Sequence, residues 1–243
     1  MSYDQVKDRT SSAVGTEEDS GALFDETTAA YSARRKRAEE FLSEALVDSH
    51  RKIFRAYLSR PQWTTIADDT DSYQLAITPE LEEPLRVSLD HGREMGQAAD
   101  CDQVLKRDFD FLCRALGTAA FRRVWRVALE KLNALLWNDV LMSNKFTTSG
   151  ASQFIQDVRA ITALIERYIP DGSSSLGSLC EALQLLNLPI EAKEENMTSL
   201  REVADLVFTD NAEAKSVLDR LEIDMLTPAN ARQILQHRVE IAE

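Results

Sequence analysis

Apolar residues recur along this chain at intervals of three and four, with charged residues between them, through nearly every stretch that lacks proline. That interval lines side chains along one side of an α-helix, and it predicts a succession of helices. The first runs from about Glu26 to Ser59. Its apolar line is Ala38, Leu42, Ala45, Ser49, Ile53 and Ala56, joined by Phe41, Leu46 and Tyr57. It stops before Arg60-Pro61, where the residue preceding proline disfavours the helical conformation. Pro79 followed by Glu80, Glu82 and Glu83 suits a helix start, because carboxylates meet the positive end of the dipole there, and this helix extends to about Met95. Val104, Phe109, Leu112 and Leu116 carry another towards Gly117. Further on, Phe154, Val158, Ile161, Ile165 and Tyr168 form a seam of two heptads that ends at Pro170-Asp171-Gly172. Leu176, Leu179, Leu183 and Leu186 define a shorter helix closed by Pro189. Ser199 with Glu202, and Asp210 with Glu213, read as capping boxes. Thr227-Pro228 opens the last predicted helix.

The most informative stretch is Phe121 to Asp157. Phe121, Trp125, Ala128, Leu132, Leu135 and Val140 form one stripe of a helix reaching Met142. The opposite stripe begins polar, with Arg122, Arg126, Glu130 and Asn133, and then continues onto Trp137 and Leu141. A helix that turns apolar on both sides must be covered twice, by its own fold or by a partner. Trp137 and Leu141 are therefore the candidate partner-contact residues, with contact to an adjacent helix as the plainer reading.

No pair of strands is predicted. The 8 Gly and 6 Pro, against 28% charged residues, leave few turn residues for a many-stranded protein, and 44% hydrophobic content supplies a core. Residues 1–25 are rich in Ser, Thr, Asp and Glu and read as a disordered leader. Residues 26–243 read as one helical-bundle domain with a possible subdivision near 117–120. The formal charge of -13 argues against nucleic acid as a partner and leaves an anionic surface only a local patch to bind. Cys101, Cys113 and Cys180 show neither paired spacing nor a zinc pattern, so they read as reduced thiols. The start is polar and lacks a secretory signal. The most apolar runs are too short to cross a bilayer, which leaves peripheral contact with membranes.

Catalytic constellations fare poorly. Asp68-Asp69-Thr70-Asp71 invites a divalent metal, yet a helical Asp-Asp-x-x-Asp motif needs an acid where Ser72 stands, so a solvated acidic turn is the better reading. None of His50, His91 and His237 follows a Glu at the spacing of a di-iron bundle. There is no glycine-rich phosphate loop and no nucleophile elbow. No cofactor, metal or catalytic residue is expected. Arg34-Arg35-Lys36-Arg37 could imitate a nuclear signal, but Glu39, Glu40 and Glu44 lie a turn away and favour a salt-bridged solvated face.

The segments FRRVWRVALEKLNALLWNDVLMSNKF at 121–146, GASQFIQDVRAI at 150–161 and SVLDRLEIDMLTPANARQILQHRVEI at 216–241 resemble the C-terminal part of the RINT/TIP family. The last includes an Ala-Arg pair at 231–232 and Arg-Val-Glu at 238–240. The resemblance implies an all-α fold, with stacked antiparallel helical bundles forming the rod-like C-terminal region of a tethering subunit. It also implies a non-catalytic role in Golgi-to-endoplasmic-reticulum retrograde vesicle transport, through contacts with sister subunits and endoplasmic-reticulum SNAREs, in the cytoplasm at the periphery of that membrane. Family members carry a long N-terminal region where this chain has only its polar leader, so it reads as a fragment or a shortened relative. The alternatives are a helical adaptor with a nuclear or checkpoint role and, further off, a metal-dependent helical enzyme using Asp68 to Asp71.

Overall fold

The computed structural model describes residues 25–60, 63–66, 77–85, 104–191 and 198–242. The leader up to residue 24, the acidic turn at Asp68 to Asp71, the continuation of the Pro79 helix towards Met95, and Cys101 lie outside the described residues.

The long first helix is present as α1 (Asp25–Ile53) and a further turn, α2 (Arg55–Leu58). A one-residue break separates them at Phe54, which is fully buried. The break is slight, because the Phe54 amide still donates to the His50 carbonyl at 2.9 Å and the Leu58 amide to the Phe54 carbonyl at 2.8 Å. Next come α3 (Pro79–Leu85), α4 (Val104–Ala115) and α5 (Thr118–Leu135). Buried Phe121, Val124, Trp125, Ala128, Leu129 and Leu132 repeat the helical stripe on α5.

The helix predicted to run on to Met142 instead widens over Leu136–Leu141 into a π-helical turn. The Met142 amide donates to the carbonyl five residues back, Trp137, at 2.9 Å. Beyond it lie α6 (Thr148–Glu166), a 3₁₀ turn (Gly172–Leu176) and α7 (Gly177–Leu186). They are followed by α8 (Leu200–Thr209), α9 (Asn211–Arg220), α10 (Pro228–Leu235) and a short α11 (Val239–Ala242). The predicted caps are in place. Ser199 accepts from the Glu202 amide, Asp210 from those of Ala212 and Glu213, and Thr227 from that of Asn230. Among the described residues the sole β-type pairing is one parallel bridge between Phe146 and Arg238.

One hydrophobic core runs through all of this. At one end Phe109 of α4 stacks between Trp125 of α5, at 3.7 Å between ring centroids, and Tyr168, at 4.7 Å. This stack makes the core continuous across residues 117–120. At the other end Trp63 is enclosed by Tyr57, Phe146 and Phe154 at 5.7, 5.5 and 5.2 Å. Among the described residues no helix is long and apolar enough to cross a membrane.

Candidate partner-contact surface and the joint behind it

The π turn explains why α5 looked apolar on two sides. Leu141 follows Leu132 by nine residues, about two and a half turns at 3.6 residues per turn, which in a straight α-helix would put it on the opposite face. A wider turn holds more residues per revolution, so the side chains after Leu135 lag back towards the core. Leu136, Val140 and Leu141 are all fully buried. This corrects the expectation for Leu141: it has no surface to offer a partner. Trp137 lies in the same turn, half-buried and packed against the core, with its remaining surface open.

Behind this turn, the segment Gly150 to Asp157 forms a joint. A methyl group on Gly150 would lie 1.9 Å from the Trp63 carbonyl oxygen, so only glycine lets the α6 backbone pass that close. Phe154 packs against Trp63 and Phe146. Asp157, fully buried, accepts hydrogen bonds from the Tyr57 hydroxyl at 3.1 Å, the Thr78 amide at 2.9 Å and the Gln153 side chain at 3.1 Å. Burial pushes the Asp157 carboxyl above the usual carboxylate range, and the donors around it only partly offset that. One carboxyl thus ties α2, the entry to α3, and α6 together.

A second joint uses the Arg-Val-Glu segment. The Phe146 amide donates to the His237 carbonyl at 2.8 Å and the Val239 amide to the Phe146 carbonyl at 3.0 Å. The pairing brings Arg238, fully buried, under the first turn of α6. Its guanidinium donates to the Leu186 and Leu188 carbonyls, the Thr148 hydroxyl and the Glu240 carboxylate. Glu240 in turn accepts from the amide and hydroxyl of Thr148, both at 3.0 Å. Burial alone would raise the Glu240 carboxyl, but Arg238 and Thr148 hold it below the usual range. A buried arginine needs this set of acceptors to be tolerated at all.

Among the described residues, His50 is a further buried ionisable group. Its ring stacks on Trp125 at 5.5 Å, and neither ring nitrogen has a hydrogen-bond partner among the described residues. Burial lowers its pKa to about 4, so it is a neutral packing group at physiological pH. Among the described residues no cluster of three or more His, Cys, Asp or Glu could hold a metal ion. Tyr57, Asp157 and His50 are all fully buried. What the described surface does offer is contact area. The first half of α1 is almost wholly exposed, including Tyr31, and Phe41 just beyond it, Phe111 of α4 and Val127 of α5 are exposed as well.

The RINT-1/TIP-1 family model matches residues 1–238. The chain belongs to this family. Of the stretches that carried the resemblance, two fall within the match and the third does so up to residue 238; in the structure they are the α5 beam with its π turn, the Trp63 joint and the Arg238 clamp. A search of the curated proteins finds no match. Among solved structures, the RINT-1/TIP-1 chain is similar to the Dsl1 complex subunit Tip20 in its crystal structure with the SNARE Sec20 bound. The TM-score is 0.69 at 17% identity, over 97% of this chain and 37% of that one. The likeness shows the shared all-helical fold, and the chain spans little more than a third of that neighbour's length.

Sequence reasoning identified both motifs and missed what they do. The Trp63 carbonyl meets Thr147, 84 positions away, and Arg238 reaches back 90 to Thr148, so no local pattern shows either contact.

Proposed function

We propose that this chain is the helical-bundle part of a vesicle tether that acts in retrograde Golgi-to-endoplasmic-reticulum transport by contacting endoplasmic-reticulum SNAREs and sister tether subunits. The family match over residues 1–238 carries the reading. A neighbour whose crystal structure holds a bound SNARE supports it. In this reading the protein works without catalysis. Its buried ionisable groups serve packing, and its exposed helical faces supply contact area for helix-on-helix association. It sits in the cytoplasm at the periphery of the endoplasmic reticulum, held there through its partners and without inserting into the bilayer.

The test is co-precipitation of the folded, tagged chain with the recombinant cytosolic domains of endoplasmic-reticulum SNAREs and with purified tether subunits. Saturable capture of at least one of them is expected. No capture by bait that shows a cooperative melt would overturn the proposal.

A further inference from the structure

α1 and α5 lie side by side and run in the same direction. Glu39 pairs with Arg123, and the α2 turn that follows α1 meets the π turn that follows α5. The Arg123 guanidinium spans the seam with two bonds to Glu39, at 2.9 and 2.6 Å, and this hydrogen-bonded pairing holds the Glu39 carboxyl below its usual range. Beside this contact the helices diverge into an open trough of about 1080 Å³. Its lining runs along α1 from Ser32 to Asp48, about 24 Å at 1.5 Å per residue. The floor is apolar and low, made by Val47, Val124 and Val127, with Ser43 donating to the Val124 carbonyl where the helices touch. Val127 is 43% exposed, although it faces a groove between two helices of the fold.

The two walls carry opposite charge. On the α1 side, beyond Lys36, stand Glu40, Glu44 and Asp48, four residues apart and all exposed. On the α5 side stand Arg126 and Lys131. Among the described residues none of these five charged groups forms an ion pair. Like charges four apart on a helix repel one another and destabilise it by a few tenths of a kcal/mol per pair. Lys36 at one end of the ladder and Lys52 at the other each stand four residues from an acid, which leaves Glu44 as the position with acids on both sides. At Glu44 the surface breaks a local rule without an ion pair among the described residues, and such a surface is a candidate for a functional one.

We propose that this trough is the docking site for one amphipathic helix of a partner protein, about 16 residues long, that bears an apolar stripe with Lys or Arg along one edge and Glu or Asp along the other. The stripe covers Val127 and the floor, the basic edge meets the Glu40–Glu44–Asp48 ladder, and the acidic edge meets Arg126 and Lys131. The fixed order of the walls also sets the direction of the bound helix, because reversing a helix end for end exchanges its left and right edges. The inference stands on the trough alone and does not depend on the tethering reading.

The test uses three labelled synthetic helical peptides sharing one apolar stripe: one with a basic and an acidic edge, one with two basic edges and one with two acidic edges. Binding to the full chain is read by fluorescence anisotropy at low salt. The mixed-edge peptide should bind at least tenfold more tightly than the other two, and Val127→Asp should weaken it at least tenfold. A chain carrying Glu40→Lys, Glu44→Lys and Asp48→Lys should switch its preference to the peptide with two acidic edges. Circular dichroism melts check that these surface variants stay folded. Equal binding of all three peptides, indifference to Val127→Asp, or no switch in the reversed chain would overturn the proposal. So would a dimer of the chain that Val127→Asp dissolves, since the occupant would then be a second copy.

Discussion

Lowering the pH from 7.5 to 5 is expected to cost the fold about 2 kcal/mol through His50 alone. In the unfolded chain this imidazole titrates near the ordinary histidine value of 6.5, while in the folded protein burial lowers it to about 4. Because the folded value lies below the unfolded one, the unfolded state takes up the proton first as pH falls. The contribution is fully present above 6.5 and is lost progressively towards 4. The full shift of two and a half units corresponds to about 3.4 kcal/mol, of which about 2 kcal/mol has gone by pH 5. The ring is enclosed against Trp125 and Phe54 and has, among the described residues, no hydrogen-bond partner that would stabilise the imidazolium. Asp157 and Asp108 act in the opposite sense, since burial raises both carboxyls and they take up protons in the folded state first as the pH drops. The measurement must therefore be a difference. Urea unfolding followed by tryptophan fluorescence at both pH values, on the native chain and on His50→Leu, isolates the imidazole. The leucine variant should gain about 2 kcal/mol relative to the native chain on going from pH 7.5 to 5. An unchanged difference would show that the ring is hydrated or paired in solution and refute the reasoning.

Further substitutions probe the joints and the helix between them. Gly150→Ala drives a methyl into the Trp63 carbonyl and should destabilise the fold by about 3 kcal/mol, the upper end of overpacking, in chemical unfolding. Arg238→Met strands the Glu240 carboxylate and two carbonyls and should cost about 3–5 kcal/mol; a double-mutant cycle with Glu240→Gln should show coupling above about 1 kcal/mol. Trp125→Ala removes one of the two rings that sandwich Phe109 and should cost about 3–5 kcal/mol in the same assay. Trp137→Ala removes a half-buried ring and should lower Tm by about 4–8 °C, as about 2 kcal/mol would in a chain of this size. An intact melt combined with lost partner binding would instead assign Trp137 to an interface.

The parts of the fold that could be read from sequence were those governed by neighbours along the chain. Ser199, Asp210 and Thr227 announce their helices because a cap is a contact across three residues, and all three caps are made. The seam from Phe154 to Ile165 is buried as its spacing required. The π turn was not legible, because a widened turn is selected by how Val140 and Leu141 pack and not by any local preference; the pattern at Trp137 and Leu141 showed only that something was irregular. The charged trough escaped for a related reason. Glu40 and Glu44 read naturally as partners for the basic run at 34–37, yet only Glu39 is drawn into pairs, with Arg35 and with Arg123 of another helix.

The clamp at Arg238 also bears on the order in which the protein is made. Thr148, at the first turn of α6, leaves the ribosome 90 residues ahead of the guanidinium that secures it. At about 5–20 residues per second that is an interval of roughly 5–20 s. Throughout it, the first turn of α6 and the end of α7 wait without the side chains that close them. The speed of translation between Thr148 and Arg238 therefore sets how long this latch stays open during synthesis.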